Sequence, residues 1–123
     1  MSSRKEIVRT FLEMSCDGRV RDAYAKHVAK GFKHHNAYFK GDAESLMLGM
    51  EQNAKENPDK KLAVKHVIEE GDLVVVHSHV KHNAKEPGFG LAHIFKFDGD
   101  KIVELWDLAQ EVPATSPNQY GMF

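Results

Sequence analysis

The sequence predicts a single α+β domain, with three amphipathic helices packed on one face of a meander of antiparallel strands. Three observations carry that prediction. Apolar residues recur at helical spacing through the first half of the chain and at strand-like spacing through the second. The pairs Gly71-Asp72 and Asp98-Gly99 separate consecutive apolar runs of the second half and are good turn chemistry. The chain of 123 residues, 41% hydrophobic and 28% charged, has no repeat or long linker, so one domain over residues 1–123 is expected.

Ile7, Val8, Phe11 and Leu12 form an apolar stripe on a helix from about Ser3 to Ser15. Ser3 and Glu6 have the spacing of a capping box at its start. Gly18 breaks the pattern, and Val20, Tyr24 and Val28 predict a short second helix ending near Gly31. A third helix, Ala43 to Asn57, presents Leu46, Met47, Met50 and Ala54 on one side, and Pro58 follows its end. Strands are predicted over Lys61–Glu69, Leu73–His82, Gly90–Phe97 and Ile102–Val112, segments rich in Val, Ile, Phe and Trp. The tail from Val112 to Phe123 is irregular, and its apolar end is expected to dock, over a neighbour's pocket.

Charge and composition exclude several function classes. Seventeen basic against eighteen acidic residues give a net charge of −1. No basic patch of the kind that nucleic acid or an anionic membrane needs is present. The longest aliphatic run is Leu73-Val74-Val75-Val76, far below the roughly 20 residues of a membrane span. The opening residues lack an apolar signal core, and Cys16 is the only cysteine, so a reducing, cytoplasmic setting is expected. Eight histidines make the surface pH-sensitive around the pI of 6.7.

The strands Leu73–Val80 and Ile102–Val112 have no clean polar side. A half-exposed antiparallel sheet alternates polar with apolar. Both faces are therefore expected to be covered, one by the helices and one by a second subunit of a homodimer.

Two polar residues stand in apolar strand sequence. His93 shares its parity with Leu91, Phe95 and Phe97; Asp107 shares its parity with Val103, Leu105 and Ala109. A carboxylate there is costly unless paired, and burial moves such a group toward the range of a general base. A structural Asp–His or Asp–backbone hydrogen bond is the plainer alternative. A loop Asp98-Gly99 would put His93 on the face of Glu104 and Trp106. A loop Asp98-Gly99-Asp100 pairs Phe97 with Lys101 and His93 with Leu105, beside Asp107, and unites the apolar parities. The second register is the expected one.

In Phe32-Lys33-His34-His35-Asn36 adjacent side chains point opposite ways, so one histidine faces inward and the other meets solvent. Asn36 can fix a carbonyl or a water. His77 and His79 share a strand face and could chelate a metal, but metal sites usually take three protein ligands and no motif supplies the third. Pocket or interface lining is the simpler role for them. Dinucleotide, phosphate-loop, nucleophile-elbow and CxxC motifs are absent.

With Phe32–Asn36, Glu70–Val80, His93–Phe97 and Lys101–Asp107 laid out, the chain resembles the SnoaL-like polyketide cyclases of the NTF2-like superfamily over nearly its whole length. The resemblance implies a cone-shaped α+β barrel, its helices packed on a curved antiparallel sheet, dimeric through that sheet. It implies cofactor-free chemistry in which Asp107 is the general acid/base, assisted by His93. Proton removal beside a carbonyl gives an enolate, and intramolecular aldol attack closes a ring. His93, His35 and Asn36 are the candidate oxyanion donors. Asn36, Phe32, His79, Phe95 and Leu105 are expected to contact a small hydrophobic carbonyl-containing ligand. Ala37 and His34 depart from the proline and glutamine common in relatives, at the pocket entrance. The cone also serves isomerases, dehydratases and binding modules, so a non-catalytic ligand binder and a His77/His79 metal site stay open beside the cyclase or isomerase reading.

Overall fold

The computed structural model describes residues 2–123. Helix α1 (Arg4–Asp17) starts where the Glu6 N–H donates to Ser3 Oγ at 3.1 Å, and it ends at Gly18, whose φ of 99° only glycine adopts at no cost. Next come α2 (Val20–His27), β1 (Val28–His34) and α3 (Ala43–Glu56), the last capped by Asp42 through Ser45 N–H at 2.9 Å. Four long strands follow: β2 (Lys61–Glu70), β3 (Leu73–Lys81), β4 (Phe89–Asp98) and β5 (Lys101–Glu111). The sheet order is β1-β5-β4-β3-β2, and β1 and β2 remain as edges rather than closing a barrel.

Two expectations are corrected. The second helix stops at His27, and residues 28–34 form a fifth strand, parallel to β5, so the sheet is mixed rather than wholly antiparallel. Phe32 and His34 alternate inward along β1, and the segment pairs with what would otherwise be an open edge of β5. The second correction concerns the last hairpin. Its two-residue turn is Gly99-Asp100, with Asp98 opposite Lys101, because the positive φ (61°) falls on Gly99 at the first turn position. A register shift follows, with Phe97 opposite Ile102 but Lys96 opposite Glu104, so one extra residue is accommodated there. That bulge returns the apolar parities to one face and puts His93 opposite Asp107 rather than opposite Leu105.

The inner face of the sheet packs on the helices. Val8, Phe11, Val74, Val76, Phe95 and Ile102 are fully buried. Phe11 lies 5.3 Å from the Tyr24 ring and 5.8 Å from the Phe95 ring, joining both helices of the N-terminal pair to β4. Phe11→Ala is expected to lower stability in urea unfolding by about 3–5 kcal/mol, because no neighbour can fill the cavity without moving the α1–sheet contact.

On the outer face, Ile68, Val75, Ile94 and Trp106 stand side by side in one row across four strands. Ile68 is 61% exposed and Leu108, one row over, 59%. The C-terminal tail docks on the outer face of its own sheet. Phe123 stacks on His79 at 4.2 Å and on His77 at 5.7 Å.

Candidate active site

The inner face leaves one large hollow, about 690 Å³, between the open end of the sheet and helices α1 and α3. Its walls are mostly apolar, with Leu12, Leu46, Met50, Leu62, Val80 and Leu91 among them. The volume falls in the range of small-molecule sites. Asp107 and His93 both line it.

The pair is built by adjacent strands. Because β4 and β5 register His93 against Asp107, the two side chains rise from the same face of neighbouring strands. His93 Nε2 lies 3.4 Å from Asp107 Oδ1, with the side chains 8% and 20% exposed. That spacing is a contact slightly longer than a well-formed hydrogen bond. Burial holds the His93 imidazole below its ordinary pKa of 6.5, against the opposing pull of the Asp107 charge, so the ring is neutral at pH 7. Its Nδ1 is buried without a hydrogen-bond partner among the described residues.

The other oxygen of Asp107 is held from the loop that follows β1. Asn36 Nδ2 donates to Asp107 Oδ2 at 2.9 Å, and Asn36 Oδ1 accepts from Tyr38 N–H at 3.0 Å, which fixes the orientation of the amide. His34 positions this residue: its Nδ1 accepts the Asn36 N–H at 3.0 Å, so Nε2 carries the proton and donates to the Lys40 carbonyl. His34 is therefore the inward histidine of the adjacent pair, and it is spent on holding the loop. Phe39 packs on Gly49 of α3, where a Cβ would run into its ring, and this seats the same loop against the cavity.

The remaining sequence candidates do not join the pair, although His35 borders the hollow. The His35 ring turns to the other side of β5, where Nε2 sits 2.6 Å from Glu104 Oε2 and the ring stacks on Trp106 at 5.1 Å. It is not beside Asp107 as an oxyanion donor would be. Phe32, Phe95 and Leu105 share the face of the acid–base pair but lie deeper, at most 6% exposed, as core under the helices rather than as lining. His79 lies on the outer face, bonded to the Pro87 carbonyl at 2.7 Å and covered by Phe123. His77 stands between His66 and Phe123, and among the described residues no group of three or more His, Cys, Asp or Glu is arranged to hold a metal ion.

Several groups escaped the sequence reading. Tyr24 is buried with its hydroxyl on Met50 Sδ at 3.1 Å; burial first, then the Asp107 charge, push the phenol up, so it stays a neutral donor. Lys60, Asn53, Ser15 and His82 also line the hollow. Helical spacing alone could not separate such wall residues from ordinary core.

A helix-backed sheet holding a carboxylate–imidazole pair in an apolar hollow defines the class: an α+β domain built around an internal cavity. The chain belongs to the SnoaL-like polyketide cyclase family, whose profile matches residues 6–116. Solved structures agree on the fold. An NTF2-like protein from Cytophaga hutchinsonii superposes with a TM-score of 0.72 at 17% identity, covering 89% of this chain and 92% of the other. A provisional polyketide cyclase from Bacillus cereus gives 0.74 at 20% identity, covering 87% and 74%. AclR of Streptomyces galilaeus, provisionally a hydroxylase, gives 0.73 at 21% identity, again covering 87% and 74%. No curated protein matches the chain. Among the described residues no helix is long and apolar enough to cross a membrane.

Proposed function

We propose that this protein is an acid–base enzyme acting on a small hydrophobic carbonyl compound, without a cofactor. The observation that supports this most is Asp107 facing an apolar hollow with neutral His93 across from it and Asn36 fixing its second oxygen. The Asp107 carboxylate takes a proton from the carbon beside a carbonyl; the C–H electron pair becomes the enolate double bond, and charge moves to oxygen. His93, as a neutral N–H donor, and the second N–H of Asn36 stabilise that oxygen. The enolate carbon then attacks a second carbonyl of the same molecule and closes a ring, or is reprotonated elsewhere to give an isomer. Either way the proton leaves Asp107 for the product, and the carboxylate is restored. A cytoplasmic location, resting on the lone Cys16, belongs to the same proposal.

The test uses valerophenone, a neutral enolisable ketone, in deuterated buffer. Native protein is expected to speed exchange of its α-hydrogens, and Asp107→Asn to lose that acceleration. Equal exchange by the two proteins would overturn the reading.

The same proposal includes a homodimer through the outer sheet face, supported by the unbroken apolar row Ile68–Val75–Ile94–Trp106. Light scattering at micromolar concentration is expected to give twice the chain mass of 13.9 kDa, and Ile94→Glu to halve it. A monomeric mass for the native protein would count against the pairing.

A further inference from the structure

Among the basic side chains that line the hollow, three already face a carboxylate. His93 lies 3.4 Å from Asp107, His82 Nδ1 lies 3.1 Å from Glu86, and His35 turns outward to Glu104 at 2.6 Å. Lys60 is the fourth, and no carboxylate lies within 4.0 Å of its ammonium among the described residues. The ammonium donates to Asn53 Oδ1, which leaves two of its three N–H donors uncommitted. A second observation points the same way. Ser15, in the same wall and only 4% exposed, has a buried hydroxyl with no hydrogen-bond partner among the described residues.

Both groups are costly as they stand. A half-buried cation without a counter-ion is destabilising, and burial pushes the Lys60 ammonium below its ordinary range. An orphaned hydroxyl is a further cost. The cost of the uncompensated ammonium is relieved by one anionic oxygen group arriving in the hollow. One ammonium matches a monoanion; a phosphate dianion would bring excess negative charge into a cavity already lined by Asp107 and Glu111. Lys60 adjoins β2 at one edge of the sheet and Asp107 stands on β5, three inter-strand steps away, each about 4.8 Å. The two polar groups are therefore at separate ends of the hollow.

We propose that Lys60, with Asn53, binds the carboxylate of the ligand, so that the substrate class is an extended keto acid whose enolisable carbon reaches Asp107. This rests on the proton-abstraction reading for the Asp107 end only. The carboxylate sets position along the cavity, the ketone sits at the acid–base pair, and neutral esters of the same ketones bind more weakly.

The experiment is calorimetric binding of ω-benzoylalkanoates with two, four and six methylenes, each as the free acid and as the methyl ester. Native protein is expected to bind at least one acid tenfold or more tightly than its ester, with the longer chains favoured. Lys60→Met is expected to remove that preference while leaving ester affinity unchanged, and Lys60→Arg to restore most of it, with melting temperatures recorded for each. Equal affinity of acid and ester for native protein, loss of both affinities together in Lys60→Met, or no acid binding at any length would overturn the proposal. Asp107→Asn separates the two readings: it is expected to keep the acid preference while losing α-hydrogen exchange. Persistent exchange in Asp107→Asn with the acid preference intact would sink the catalytic reading alone.

Discussion

Asp107→Asn is expected to reduce α-hydrogen exchange of a bound ketone by roughly 10³-fold, with little change in melting temperature. The size follows from the role. Positioned general bases contribute about 10²–10⁴-fold, and 10³ corresponds to about 4 kcal/mol of barrier. Asparagine has the shape of aspartate but takes up no proton at neutral pH. The fold is expected to tolerate it because the one well-formed bond to Asp107, from Asn36 Nδ2, can be accepted equally by the amide oxygen at position 107. If Asp107 were instead only a structural acceptor, Asp107→Asn would leave exchange as well as melting temperature nearly unchanged, and only removal of the acceptor in Asp107→Ala would cost about 1–3 kcal/mol of stability. Measuring exchange and thermal unfolding on the same preparation separates the two.

His93→Leu is expected to act in the opposite sense on stability and in the same sense on rate. Exchange is predicted to fall about 10²-fold through loss of the N–H donor nearest the base. Stability at pH 7 should hold or rise, because leucine removes a buried Nδ1 that has no partner among the described residues. The pH dependence gives the sharper signature. The folded imidazole titrates below 6.5, so the unfolded chain takes the proton first as the pH falls. The contribution of the neutral ring is therefore fully present above 6.5 and is lost as the pH drops toward the folded value. Urea unfolding between pH 7 and 5 is expected to show that loss in the native protein and a shallower one in His93→Leu. Some slope remains, since burial also holds His27 below its ordinary value. Carboxylates such as Glu104, held low mainly by the hydrogen bond from His35, contribute at lower pH. Identical pH profiles for the two proteins would place His93 in a solvated, protonatable position and contradict its assigned role.

The sequence was most informative where one local rule dominates. Ser3 marked the start of α1 through its own hydroxyl, and α3 and the four long strands lie within one or two residues of their expected limits, because period and turn residues agree there. It misled where tertiary pairing decides. Val28–His34 follows α2 with no turn residue between them, and Gly31 reads as a helix stop; only the open edge of β5 makes the segment a strand. The bulge beside Ile102 leaves no compositional mark, yet it puts His93 across from Asp107. In the site, strand parity correctly assigned these two to the inner face, but parity says nothing about depth. Phe95 and Leu105 share that face and are core, while Lys60 and Ser15, from a strand end and a helix, meet the cavity without any linear pattern to show it. The His35 ring was equally illegible, since its direction depends on Glu104 and Trp106, some seventy residues further along the chain.

Proton abstraction by a single fixed carboxylate has a stereochemical consequence that solution chemistry lacks. A base on one wall of the cavity reaches only one of the two α-hydrogens of a methylene ketone held there. Deuterium NMR, in a chiral liquid-crystal solvent that resolves the two α-positions, of valerophenone recovered from native protein in deuterated buffer is predicted to show one prochiral position labelled well ahead of the other, with that bias absent for Asp107→Asn. Labelling of both positions equally, at the rate given by buffer alone, would contradict the account.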